Sequence, residues 1–198
     1  MPLRPLWITL VFAAACLTAL PLRADDLADI EVLYHAGQVD EALGKADDII
    51  ATKPRAAEVR FLKGVMLIEQ KREDEAIQVF TSLTQDFPEL ADPYNNLAVL
   101  HASKGQLQSA LLALQNALRN DPGHRMAREN LGDLYLILAQ QAWAAAQTAG
   151  KGDDTELKRK LRLAREILPA AVPTRILKPR GTPTPTPKPG SALRRSQG

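Results

Sequence analysis

Three histidines and one cysteine are the side chains in this 198-residue chain that most often bind metals or act as catalysts. His35, His101 and His124 stand 66 and 23 residues apart, which is not the spacing of a metal-ligand motif. No glycine-rich phosphate loop and no serine in a nucleophile-elbow pattern accompany them. The sequence therefore predicts that the chain is not an enzyme and has no metal or cofactor site.

The N-terminal segment, residues 1–24, has the pattern of a secretory signal peptide. Arg4 supplies a positive charge, an almost unbroken apolar run extends from Leu6 to Ala15, and a small residue, Ala24, precedes a polar sequence. Cleavage after Ala24 would remove Cys16, the only cysteine of the chain. A cysteine-free exported chain suits a bacterial periplasm, so we predict a periplasmic or otherwise exported protein.

Two alternatives for this segment stay open, and both attach the protein to a membrane. The apolar stretch is close to the length that spans a bilayer, so an uncleaved segment would be an anchor. Cys16 follows three alanines and weakly resembles a bacterial lipobox, so the cysteine would carry a lipid in the second alternative. A membrane contact is expected only in these two cases.

Charge is distributed unevenly along the chain. The formal net charge is +2, but residues 25–176 hold 18 basic and 23 acidic side chains, a net charge of −5. Residues 177–198 hold five basic side chains and no acid. An acidic body with a short basic end argues against a nucleic-acid binder, so no nucleic-acid partner is expected.

The middle of the chain repeats with a period of 34 residues. Small or conformationally special residues recur in columns: Pro54, Pro88 and Pro122; Ala42, Ala76 and Ala110; Gly64, Ala98 and Gly132; and Gly37 with Gly105 two periods apart. Over about residues 25–136 this pattern resembles the tetratricopeptide repeat family, whose unit is a helix–turn–helix. The resemblance implies an all-α fold, a right-handed α-solenoid of three to four repeats.

Paired helices follow from the hydrophobic spacing within each period. We predict them at 25–36 with 40–52, 57–70 with 73–86, and 91–104 with 107–120. The repeat domain spans 25–168 in units of about 23–56, 57–90, 91–124 and an atypical 125–168. Its small-residue column predicts close approach of helices at Gly64, Ala98 and Gly132.

The fourth unit departs from the period, since its apolar run continues without a turn. We predict one long helix over about 125–148, with Tyr135 filling a space between helices. Asp153 is the predicted N-cap of a last helix, whose apolar stripe includes Ile167 and which caps the open end of the stack. His101 shares a column with Tyr135, so the same argument predicts a packed core position for it.

The composition changes at Pro169. Residues 169–198 include the alternating run Thr182–Pro189 and carry no acid. We predict a disordered, extended and basic tail, rich in proline and threonine. A terminus without a role is the alternative.

The family resemblance also implies a concave groove lined by the first helix of each unit. Residues around the small-residue column would form this partner-binding groove: Leu27, Glu31, Tyr34, Phe61, Val65, Ile68, Asn95, Asn96, Val99, Glu129, Asn130 and Asp133. Family members that clamp a C-terminal carboxylate use lysine and arginine in these columns, and this chain has neither there. We therefore expect no carboxylate clamp.

Three amides in that groove, those of Asn95, Asn96 and Asn130, are predicted to hydrogen-bond the main chain of an extended peptide. An alternative stays open in which Phe61 and Ile68 pack against neighbouring helices and only polar residues meet solvent.

These patterns predict a non-catalytic interaction scaffold of the bacterial cell envelope, which binds a peptide or a partner subunit in its groove. A non-catalytic regulatory subunit of an envelope enzyme, such as a peptidoglycan-modifying one, is the alternative function.

Overall fold

The structure, a computed structural model, describes residues 24–150 and 154–167. These residues form eight α-helices: α1 Ala24–His35, α2 Val39–Thr52, α3 Ala57–Glu69, α4 Glu73–Asp86, α5 Ala91–Ser103, α6 Leu107–Asn120, α7 Arg125–Ala149 and α8 Thr155–Ile167. Each helix packs against the next along the chain, so helices pair as α1–α2, α3–α4 and α5–α6. The predicted all-α arrangement of helix–turn–helix pairs is confirmed. The predicted signal peptide, up to residue 23, and the predicted tail lie outside the described residues.

The turn inside each of the three pairs uses one backbone device. Gly37 and Gly105 have φ values of 78° and 71°, and Lys71, 34 residues from each, has a φ of 58°. At all three turns the next residue donates its N–H to the carbonyl five residues earlier, at 2.9–3.0 Å. This is the Schellman geometry that ends a helix with a left-handed residue, which explains why glycine recurs in this column.

The predicted close approach is present at Gly64. A Cβ placed there would lie 2.5–2.9 Å from ring atoms of Phe80, which is itself fully buried. Ala98 is fully buried as well. The close approach predicted at Gly132 is wrong, because Gly132 is exposed and a Cβ there would have nothing within 4 Å.

The structure of the fourth unit explains why Gly132 is exposed whereas Gly64 and Ala98 are buried. Its first helix, α7, runs on for 25 residues, as the missing turn predicted. Ala139 stands in the column of the turn residues, where the chain stays helical and does not reverse. No helix within the described residues therefore returns over Gly132, and Tyr135 is 51% exposed. The prediction that Tyr135 fills a space between helices is wrong for the same reason.

The last helix, α8, packs on the second half of α7. Leu161 and Ala164 are buried, and the Gln140 side-chain amide donates to the Ala164 carbonyl at 2.9 Å. Ile167, predicted to belong to the buried stripe, is 68% exposed. Only the middle of the stripe is covered, since α8 packs chiefly against one helix, α7.

The N-cap of α8 is Asp154. Its carboxylate accepts the backbone N–H of Leu157 at 2.9 Å, the bond that caps a helix start. Asp153, the predicted cap, lies outside the described residues, so the cap is one residue further along.

His101 is half-buried and does not have the packed core position predicted for it. Its Nδ1 lies 2.7 Å from the side-chain oxygen of Gln106, at the turn between α5 and α6.

None of the helices in the described part of the chain has both the length and the apolar character needed to cross a membrane.

Candidate partner-binding groove

The first helices of three successive units, α1, α3 and the start of α5, enclose a cavity of about 250 Å³. We call it the N-terminal cavity. Its apolar lining includes Leu27, Phe61 and Pro93, and three carboxylates lie among these apolar groups: Glu31, Glu58 and Asp92. An apolar concave surface with a few convergent polar groups is the usual form of a binding site.

Phe61 connects this cavity to the core. Its ring meets the ring of the fully buried Phe80 edge-on, with centroids 5.6 Å apart. Phe61 itself is half-buried, so one part of the ring packs inside while another lines the cavity. Ile68, further along α3, is half-buried too. Both alternatives for Phe61 therefore hold in part, since packing and exposure coexist in the same side chain.

Val65 and Val99, predicted for the groove, are only 4% and 7% exposed. They belong to the continuous apolar core that holds the helices together, and little of either side chain is open to a partner.

Tyr34 connects the C-terminal ends of α1 and α3, which are the first helices of the first two units. Its hydroxyl donates a hydrogen bond to the Glu69 carboxylate of α3. Partial burial, together with this bond and the negative charge of Glu69, raises the pKa of the Tyr34 phenol. The phenol thus stays protonated and tethers α1 to α3.

Asp92 is held in place by His124, a residue to which the sequence analysis gave no role. His124 is 4% exposed, and its Nδ1 accepts the backbone N–H of Ala127 at 3.1 Å as the N-cap of α7. An accepting Nδ1 carries no proton, so Nε2 carries it and donates to Asp92 at 2.8 Å. The position directly before a helix start was the signal for this role in the sequence.

The three predicted amides do come together, but inside the protein. Asn95, Asn96 and Asn130 are each fully buried. The Asn130 amide donates to the Asn95 side-chain oxygen at 2.9 Å, and the Asn95 amide donates to Asn96 at 3.4 Å. Their predicted exposure is therefore wrong. Periodicity placed them on the correct helix face, but it could not show that α5 and α7 approach closely enough to bury them.

Two acids of α7 complete the predicted set. Glu129 is exposed and Asp133 is half-buried. They extend the acidic character of the first helices beyond the N-terminal cavity. Over residues 24–150 and 154–167, no three histidine, aspartate or glutamate side chains gather in a way that could hold a metal ion.

Comparison with known proteins places the fold. The family model of the tetratricopeptide repeat matches residues 28–91 and 95–151. A crystal structure of the MamA protein is similar, with 17% identity, a TM-score of 0.54 and coverage of 73% of this chain and 83% of that chain. A second crystal structure of MamA has 17% identity, a TM-score of 0.54 and coverage of 74% and 85%. No curated protein matches the sequence. At this identity the likeness shows a shared fold alone.

Proposed function

The chain belongs to the tetratricopeptide repeat family, and from this premise we propose that it is a non-catalytic protein–protein interaction scaffold of the bacterial cell envelope. It binds a peptide or a partner subunit along its first helices. The observation that carries this proposal is the N-terminal cavity, an apolar hollow between α1, α3 and α5 with three carboxylates in its lining.

The centre of binding in this proposal differs from the one that the sequence suggested. The buried amides of Asn95 and Asn130 are bonded to each other, so a peptide backbone would first have to displace them. Leu27 and Phe61 are half-buried and offer apolar surface without that cost. A partner would therefore insert an apolar side chain into the N-terminal cavity, rather than pair its main chain with amides.

A substitution pair on α1 tests this site. Leu27→Arg places a long cation in the cavity, whereas Val32→Arg makes the same change at a residue of α1 that is 67% exposed. We expect proteins that co-purify with the wild-type chain from an envelope fraction to be lost with Leu27→Arg and kept with Val32→Arg. Thermal melting checks that both variants fold.

The opposite result would contradict the proposed binding site. If a folded Leu27→Arg variant still captures its partners, the interaction takes place at another surface. A stoichiometric enzyme among the captured proteins would favour the alternative function, a regulatory subunit.

Export is a separate part of the proposal and is supported by the sequence of residues 1–24 alone. N-terminal sequencing of the exported protein should begin at Asp25. A lipid-bearing start at Cys16 would identify a lipoprotein, and an intact Met1 in the membrane fraction would identify an anchor.

A further inference from the structure

The chemistry of the N-terminal cavity narrows the class of partner. Resting on the proposed function, we propose that the cavity selects an extended peptide segment in which an apolar side chain is flanked by lysine or arginine. The apolar floor takes the apolar side chain, and the carboxylates of Glu31, Glu58 and Asp92 receive the flanking cations.

The ion pairs of the first two units distinguish Glu31 and Glu58 from three neighbouring acids. Asp29 and Asp26 are bound by lysines at 2.5 Å, and Asp47 by a third lysine. The side-chain carboxylates of Glu31 and Glu58 have no hydrogen bond and no ion pair with any described residue. Their charge is therefore available to a ligand, whereas Asp26, Asp29 and Asp47 are already paired with lysines.

Asp92 adds a carboxylate whose position is fixed before a ligand arrives. The imidazole Nε2 of His124 donates to the Asp92 carboxylate at 2.8 Å, so this bond orients the carboxylate. A fixed acceptor loses less conformational freedom on binding than a mobile one, which favours affinity.

The size of the cavity limits what enters it. About 250 Å³ is below the range of roughly 300–1,000 Å³ typical of pockets for small molecules and cofactors. One or two apolar side chains fit this space better than a whole cofactor does. The flanking residues of the peptide then lie along the rim, where the acids are.

Fluorescence anisotropy with synthetic peptides tests the proposal on the full chain. The probe is a short labelled peptide with a leucine pair flanked by lysines. One comparison peptide has glutamate in place of each lysine, and another has serine in place of each leucine. We expect only the lysine–leucine peptide to bind, with an affinity that falls as the salt concentration rises.

A matched pair of double variants tests the named carboxylates. Glu31→Gln with Glu58→Gln should weaken binding of the lysine–leucine peptide about tenfold, as expected for two partly exposed ion pairs. Glu41→Gln with Asp48→Asn removes the same net charge from exposed positions of α2 and should leave binding unchanged. Equal weakening by both double variants would show general attraction by an acidic surface and would overturn the proposal.

Other outcomes separate this proposal from the proposed function. Equal binding of the lysine and glutamate peptides, abolished by Leu27→Arg, would keep the groove but overturn its preference for cations. Absence of peptide binding, with envelope partners still captured through Leu27, would do the same. Binding that appears only after Arg175, Lys178 and Arg180 are changed to glutamine would show that the basic end of the chain itself occupies the cavity, and would overturn an external peptide as its occupant.

Discussion

Lys71 holds a backbone conformation that suits glycine. Among the described residues it is the one non-glycine residue with a positive φ, 58°, and both equivalent turn residues are glycines. A non-glycine residue in the left-handed region lowers the stability by roughly 1–2 kcal/mol. Glycine removes this strain, but part of the gain is lost because glycine has more conformational freedom in the unfolded chain. Lys71→Gly should therefore raise the free energy of unfolding by about 0.5–1 kcal/mol in urea denaturation.

Gln70 supplies the control for that substitution. It precedes Lys71 and has a φ of −75°, which any residue adopts. Gln70→Gly should lower the stability, because flexibility is added without relief of strain. Stabilisation by both glycines would contradict the argument from the turn geometry.

Two glycines of the same column should respond in opposite directions to one added methyl group. Gly64→Ala drives a Cβ into the buried Phe80 ring and should cost about 1–3 kcal/mol, since that ring is held by Phe61. Gly132→Ala meets open space on an exposed helix face and should stabilise by up to about 1 kcal/mol. Thermal unfolding of the two variants checks both signs, and a loss of stability at Gly132 would mean that a helix covers it.

The buried amides predict a cost that a surface position would not have. Asn130→Ala leaves the Asn95 oxygen without the 2.9 Å donor and should destabilise by about 1–3 kcal/mol. Gln115→Ala, at an exposed position of α6, should stay within about 0.5 kcal/mol of the wild type. Equal losses of stability for the two variants in chemical denaturation would indicate that these amides are exposed to solvent, as the sequence analysis predicted.

At the scale of helices, the first seven were predictable to within one residue at each end. Helix periodicity and turn residues are local, and the 34-residue period repeats them, so each unit supports the assignment of the next. The burial of a repeat column, in contrast, depends on helices elsewhere in the chain. Gly132 and Tyr135 have the residue types of their columns, but the helix that would cover them is missing from the fourth unit.

Arg60 shows why some interior contacts escape sequence analysis. It is 8% exposed and binds Asp86 at 2.6 Å, the Ser82 hydroxyl at 2.9 Å and the Pro54 carbonyl at 3.2 Å. These partners lie up to 26 residues away on a different helix and a loop. A buried arginine is stable only where such partners converge, which periodicity does not reveal.

The attachment of α8 gives a prediction at this scale. Leu161 is 3% exposed and Leu163 is 41% exposed on the same helix. Leu161→Ala should release α8 from α7, so that amide hydrogen exchange in residues 155–167 becomes faster while α3–α6 keep their protection. Leu163→Ala should leave exchange in α8 nearly unchanged. Slower folding or lower protection throughout the chain would show that α8 belongs to one cooperative unit with the repeats.

At the scale of the whole molecule, the core is concentrated in the middle of the stack. The helices α3 and α5 are buried along most of their length, whereas α8 contributes only Leu161 and Ala164 and lies outside the main apolar cluster. Repeat proteins gain stability from neighbouring units, so the ends are held least. Hydrogen exchange should be slowest in α3–α6 and faster in α1 and α8. Uniform protection of all eight helices would contradict this gradient.

The uninterrupted α7 also determines where a further 34-residue unit can be inserted into the chain. Duplication of a 34-residue segment ahead of residue 125 would add a unit that presents a helix pair to each neighbour, so the stack would lengthen. The same insertion after Ala149 would find, within the described residues, no second helix that folds back on the first half of α7. Because α7 stays helical at Ala139, we expect length variants of such a chain to differ in the number of units before the fourth one.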